Sequence, residues 1–278
     1  MDFIKPIEDL TFSDDFMFGY IMHMPDICKQ VLEKLLHIKI DKLVYPELQK
    51  SIQTFYESKG VRLDVYVKDS DRIFNIEIQN IRDKDLPKRT RYYQSMVDID
   101  NLLKGDDYSQ LKESFIIFIC QYDHFKDGLP CYTFKNVCLE NNERELDDKT
   151  TKVIFNSNAY EKEKDVAIKA FLKYINTRVP TDTFTKQLDS MVEKIKYNNK
   201  FRNEYLAMNL HDRDIKKQAF EDGLSQGLSE GISQGELQAK IETAKNLLIE
   251  KIPTEIVIRT TGLSKETVEQ LSNEITSH

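Results

Sequence analysis

In Val61-Arg62-Leu63-Asp64-Val65-Tyr66-Val67 the odd positions are apolar, and in Phe74-Asn75-Ile76-Glu77-Ile78-Gln79 the even ones are. A period of two predicts two half-buried strands, and the charged stretch from Lys68 to Arg72 predicts the turn that joins them. With the turn centred between Ser70 and Asp71, paired positions sum to 141, so Val67 faces Phe74 and Asp64 faces Glu77. Two carboxylates then stand opposite each other with Cβ atoms about 5 Å apart, which destabilises a strand pair. At an effective dielectric of about 20 the repulsion is about 3 kcal/mol. A divalent cation held by both would offset it, and carboxylates with no neighbouring His or Cys select Mg2+ or Mn2+. The same periodicity puts Gln79 on the face of Glu77.

The flanking segments set the fold class. Ser13-Asp14-Asp15 precedes apolar residues at helical spacing, Phe16, Phe18, Ile21 and Met22, then Ile27, Val31 and Leu35, with Gly19 and Pro25 as two places to break the helix. Ile38 to about Leu48 reads as a strand. Pro87 opens and Gly105 closes a helix from about Leu86 to Leu103, with Tyr92 expected in the core. Phe115 to Cys120 is a continuous apolar strand of the kind buried on both faces. The order helix, three strands, helix, strand is α/β. Cys131 to Leu139 and Lys152 to Phe155 look like an added hairpin, and helices follow near 162–176 and 182–206.

Composition narrows the chemistry. Forty basic against 47 acidic residues give a net charge of −7, which argues against non-specific coating of nucleic acid and leaves room for a local basic patch. The five histidines and four cysteines, Cys28, Cys120, Cys131 and Cys138, lack C-x-x-C and H-x-x-x-H spacing, so zinc is not expected and the thiols read as reduced. The longest apolar run, Phe115 to Cys120, is far short of the roughly 20 residues of a membrane span. The opening MDFIKPIEDL lacks the pattern of a secretory signal, and a cytoplasmic location is the expectation.

The arrangement of Asp64, twelve residues, Glu77, Ile78 and Gln79 resembles the PD-(D/E)XK nuclease motif in its glutamine form. The chain is similar to the recombination-promoting nuclease family, whose members are also described as transposases. Asp15-Phe16-Met17-Phe18 resembles that family's D-F-x-F opening, Arg89 with Tyr92-Tyr93 its R-x-x-Y-Y helix, and Gly105 to Leu111 its G-x-x-Y-x-x-L segment. The resemblance covers most of residues 10–210. It implies a restriction-endonuclease-like αβββαβ core with a mixed sheet, followed by a mainly helical C-terminal region.

It also implies metal-assisted hydrolysis of DNA, with Asp64 and Glu77 as ligands of Mg2+ or Mn2+ and Gln79 orienting water. Asp15, or its neighbour Asp14, is the third carboxylate that the resemblance suggests, although a simple helix cap explains Asp15 equally. The sequence departs from the motif at Leu63, where proline is usual, and at Gln79, where lysine is usual. Glutamine brings no positive charge to the phosphate, so another cation should contribute, with Lys88, Arg89 and Arg91 as the candidates. Arg82, Lys84, Lys88, Arg89 and Arg91 make five basic residues between 80 and 95 against Asp83 and Asp85. Of these, Lys88, Arg89 and Arg91, with Tyr93, are the expected DNA contacts.

Residues 223–238 read GLSQ, GLSE, GISQ, GELQ, with a glycine every fourth residue. Such a tract suits a flexible linker. Leu224, Leu228 and Ile232 recur with the glycines, however, and predict a helix whose small-residue stripe could seat a second copy of the chain. Further on, a helix to Thr260, a turn at Thr261-Gly262-Leu263 and a helix capped by Ser264 match helix-turn-helix spacing. From residue 236 on there are five basic and seven acidic residues, poor for phosphate contact. The expected division is therefore a nuclease-like core over 1–160, a helical extension over 161–215, the glycine repeat over 216–240 and a small helical module over 241–278. A DNA-binding regulator acting through that module, and an inactive scaffold with the nuclease fold, are the alternative functions.

Overall fold

The computed structural model of the chain describes residues 5–44, 51–52 and 61–276. Helices α1 (Asp15–Met22) and α2 (Pro25–Leu36) come first, then the short antiparallel pair β1 (Ser51–Ile52) and β2 (Val61–Arg62). Next are β3 (Val65–Lys68), β4 (Arg72–Gln79), α3 (Leu86–Asn101) and β5 (Glu113–Cys120). Strands β6 (Cys131–Phe134), β7 (Val137–Cys138), β8 (Asn141–Glu145) and β9 (Thr150–Asn156) follow. Helices α4 (Val166–Thr177), α5 (Thr183–Lys196), α6 (Asn199–Ile249), α7 (Thr254–Thr261) and α8 (Lys265–Thr276) complete the chain.

Five strands form one mixed sheet in the order β3-β4-β5-β9-β6. β3 and β4 are antiparallel and β4, β5 and β9 parallel, while β6 runs antiparallel to β9 at the far edge. The β3–β4 register pairs Val67 with Phe74 and Val65 with Ile76, as the charged turn requires. Asp69 closes that turn, its amide donating to the Arg72 carbonyl at 2.9 Å and its buried carboxylate pairing with the Arg72 guanidinium.

Three expectations are corrected here. β4 is not half-buried: Ile73 through Ile78 are all buried, because helices cover both faces of the sheet. β6 and β9 are not an added hairpin: β9 carries the consecutive buried residues Val153, Ile154 and Phe155 and pairs in parallel with β5, as an interior strand does. The appended hairpin is instead β7–β8. Ile38 to Leu43 form no strand; the Ile40 amide donates to Glu33 Oε1 at 2.9 Å, and Val44 makes one isolated bridge to Lys68. Residues 45–48 of that stretch lie outside the described residues.

On one face of the sheet, Leu86, Tyr93, Met96 and Val97 of α3 pack over Tyr66, Ile116, Phe118 and Ile154. On the other, α1 lies against β4. Phe12 joins α1 to α4 through edge contacts with Phe18 at 5.4 Å and Phe171 at 6.1 Å. Phe201, in the first turn of α6, meets Phe16 at 5.2 Å and Tyr20 at 4.9 Å. The break between α1 and α2 falls at Pro25, while Gly19 is buried inside α1. Helix α2 ends on His37 in the left-handed region, and α5 starts with a capping box between Asp182 and Thr185.

The chain divides into two compact units, one running to Tyr205 and the other from Leu206. Helices α4 and α5, read from sequence as part of a separate extension, belong to the first unit and pack against α1 and α2. In the second unit, α7, α8 and the end of α6 share a small core of Ala244, Val257, Leu263, Val268 and Leu271. Gly262, at φ +68°, ends α7 in the left-handed conformation that glycine adopts freely. The glycine repeat is helical, inside α6. A Cβ at Gly223, Gly227, Gly231 or Gly235 would meet nothing within 4 Å, and Leu224, Leu228 and Ile232 are exposed. Among the described residues, no helix is long and apolar enough to cross a membrane.

Candidate active site

The antiparallel ladder between β3 and β4 stops at Val65, one residue short of Asp64. There the strand pairing gives way to side chains. The Asp64 amide donates to Glu77 Oε1 at 3.1 Å, and the Ile78 amide donates to Asp64 Oδ2 at 3.3 Å. Each carboxylate thus takes a backbone N–H from the other strand, which offsets part of the repulsion that their juxtaposition creates. Glu77 is 1% exposed. Burial, and then the charge of Asp64, push its carboxyl well above the usual carboxylate range.

The rest of the site comes from α3 and the loop before it. Arg89 reaches back under the sheet, with Nη1 donating to Gln79 Oε1 at 2.9 Å and to Asp83 Oδ2 at 3.0 Å. Its Nη2 donates to the Tyr93 hydroxyl at 3.0 Å and lies 3.7 Å from Glu77 Oε2. The guanidinium also sits over the rings of Tyr93 and Phe118, at 5.3 and 5.4 Å from their centroids. Burial works against its charge, but the bonds to Tyr93 and Asp83 and the nearby Glu77 hold it above the ordinary arginine value. Tyr93 is pushed up to about 12 by burial and by the Glu77 charge. Asp83 is fixed by the Asp85 amide at 2.8 Å, and its own amide donates to the Tyr122 hydroxyl at 3.2 Å.

Gln79 Nε2 donates to the Ile78 carbonyl at 2.8 Å while its oxygen accepts from Arg89. One N–H and one lone pair of that amide remain for a water. Asn75, two residues before Glu77 on the same face, is fully buried, with neither side-chain polar atom hydrogen-bonded. Period two, which places Gln79 beside Glu77, also points to Asn75.

Other expected site residues fall elsewhere. Asp14, not Asp15, precedes α1, and its carboxylate makes no cap bond; it accepts from Lys5 Nζ at 2.6 Å and from the Thr11 amide at 2.6 Å. Asp15 is exposed in the first turn of α1. Among the described residues, no group of three or more His, Cys, Asp and Glu is placed to hold a metal. Asn80 Nδ2 does tie the end of β4 to this region, donating to the Ser13 carbonyl at 2.6 Å.

Tyr93, expected on the DNA surface, is buried at 8% exposure and engaged by Arg89; Tyr92, expected in the core, is 36% exposed. The helix phase set by Leu86, Arg89, Tyr93 and Met96 turns Lys88, Arg91, Tyr92 and Ser95 to solvent. Lys88 lies 3.3 Å from Asp85.

A model of the PD-(D/E)XK nuclease family transposases matches residues 6–217, well over half of the chain. Neither the comparison with curated proteins nor that with solved structures gives a match.

Proposed function

Because the chain belongs to the PD-(D/E)XK nuclease family transposases, we propose that it is a metal-dependent DNA endonuclease acting in recombination or in the movement of mobile elements. The observation that carries this reading is the buried Glu77 carboxylate held against Asp64 where β4 ends. Two hard oxygen ligands and no His or Cys fit Mg2+ or Mn2+. Asp64 and Glu77 would hold the ion, which when bound lowers the pKa of a water and stabilises charge on the leaving oxygen. Gln79 orients the attacking water with the amide N–H and lone pair left over from its bonds to Ile78 and Arg89. Lys88, Arg91 and Tyr92, together on the outer face of α3, meet the DNA backbone. Purified protein incubated with supercoiled and linear DNA tests the reading: cleavage is expected with Mg2+ or Mn2+ and none with chelator.

A scaffold without activity is the second reading. It draws on the absence, among the described residues, of a group of three or more His, Cys, Asp and Glu placed to hold a metal. Divalent ion binding in the absence of DNA separates the two, since the scaffold has no need of it.

A further inference from the structure

Hydrolysis of a phosphodiester builds negative charge on the phosphoryl oxygens, and a site made of two carboxylates and neutral amides opposes it. On β4 the neighbours of Glu77 on its own face are Asn75 and Gln79, both uncharged. The positive charge comes instead from α3. Arg89 lies in the first turn of that helix, 29% exposed along its side chain, bonded to Gln79 and 3.7 Å from Glu77. It is held in place from behind by Asp83, the Tyr93 hydroxyl and the faces of Tyr93 and Phe118. Asp83 is itself held by the Asp85 amide, so the guanidinium is preorganised before any substrate arrives.

We propose that Arg89 is the cation of this site, delivered from α3 to the place where β4 offers only Gln79, with Asp83 as its tether. Its looser approach to Glu77, against the 2.9 and 3.0 Å bonds to Gln79 and Asp83, leaves it able to meet a phosphoryl oxygen while it stays anchored. The proposal rests on the nuclease reading of the same residues. It has a consequence that a purely structural arginine lacks. A fixed cation beside Glu77 repels a divalent ion, so its removal tightens ion binding while slowing turnover.

The test compares wild type, Arg89→Met, Arg89→Lys, Asp83→Asn and the double variant Gln79→Lys/Arg89→Met. Mg2+ binding is titrated by calorimetry without DNA, and single-turnover cleavage is measured at saturating Mg2+. Arg89→Met is expected to bind Mg2+ several-fold more tightly and to cleave about 100-fold more slowly, the usual loss on removing one charge-stabilising group. In rate, Arg89→Lys and Asp83→Asn should fall between it and wild type. The double variant, which puts an ammonium on β4 beside Glu77, should recover at least about tenfold in rate. Wild-type cleavage by Arg89→Met, parallel loss of Mg2+ binding and rate, or no recovery in the double variant would each overturn the assignment. If Arg89→Met does not fold, the double variant and Arg89→Lys decide on the same criteria. Should wild type cleave no DNA at all, the nuclease reading falls. The Mg2+ titration then still judges Arg89, with tighter binding in Arg89→Met in favour and weaker binding against.

Discussion

Asp64 and Glu77 are joined by a reciprocal exchange across two strands: the Asp64 amide donates to Glu77 Oε1, and the residue after Glu77 donates its amide to Asp64 Oδ2. The ladder ends one residue earlier, so these bonds take over where strand pairing stops. They hold two acids together that would otherwise separate, and one of the two is buried.

Stability without metal should therefore depend on pH through Glu77. Its folded-state pKa is raised by burial and by Asp64, so the folded chain binds this proton more tightly than the unfolded one. That contribution is fully present below the ordinary value of 4.5 and is lost as pH rises above it. In thermal melts with chelator from pH 4 to 8, wild type should progressively lose stability relative to Glu77→Gln as pH rises. Added Mg2+ should restore wild type and leave the variant unmoved. A wild type that gains on the variant as pH rises would contradict this.

The two tyrosines of α3 should behave oppositely. Tyr93→Ala empties a buried ring site and unseats Arg89, at a cost of about 3–5 kcal/mol in denaturant melts. Tyr92→Ala should stay within about 0.5 kcal/mol of wild type and change DNA binding instead. Equal destabilisation by the two would show the helix phase to be wrong.

Lys88 and Arg91 share the outer face of α3. If both contact phosphates, replacing either by alanine weakens binding to all DNA sequences alike. The slope of log K against log salt should fall by about 1 per residue in a fluorescence titration. An unchanged slope would remove these residues from the interface.

In α6, nothing lies within 4 Å of a Cβ built at Gly227 or Gly231. Alanine at each position should thus raise helix stability by about 1 kcal/mol, seen as greater helicity on heating. If the stripe seats a second copy, the same substitutions weaken self-association in sedimentation; unchanged assembly would leave the glycines without that role.

Much of this was legible in the sequence. The register of β3 and β4 follows from five turn residues, and the break in pairing at Asp64 is where the facing acids were expected. The phase of α3 is ambiguous between Tyr92 and Tyr93 because two adjacent tyrosines offer the same ring to a helical period, and Leu86, Met96 and Val97 decide for Tyr93. The interior place of β9 is hidden in the sequence because its parallel partner, β5, lies some thirty residues upstream, with β6, β7 and β8 between them. The role of Arg89 needed three dimensions: Glu77, Gln79, Asp83 and Tyr93 come from a strand, a loop and a helix. In the sequence Arg89 stands only as one of three candidate cations with Lys88 and Arg91, and its spacing of four from Tyr93 on one helix face is the local feature that sets it apart.

Cleavage of supercoiled DNA in Mg2+ by wild type, Asp64→Ala and Glu77→Ala, each shown to be folded by circular dichroism, tests the central assignment most directly. Wild type should convert the substrate, and each variant should lose activity by about 100-fold or more. Nicking by both variants at the wild-type rate would mean that the paired carboxylates are not the active site.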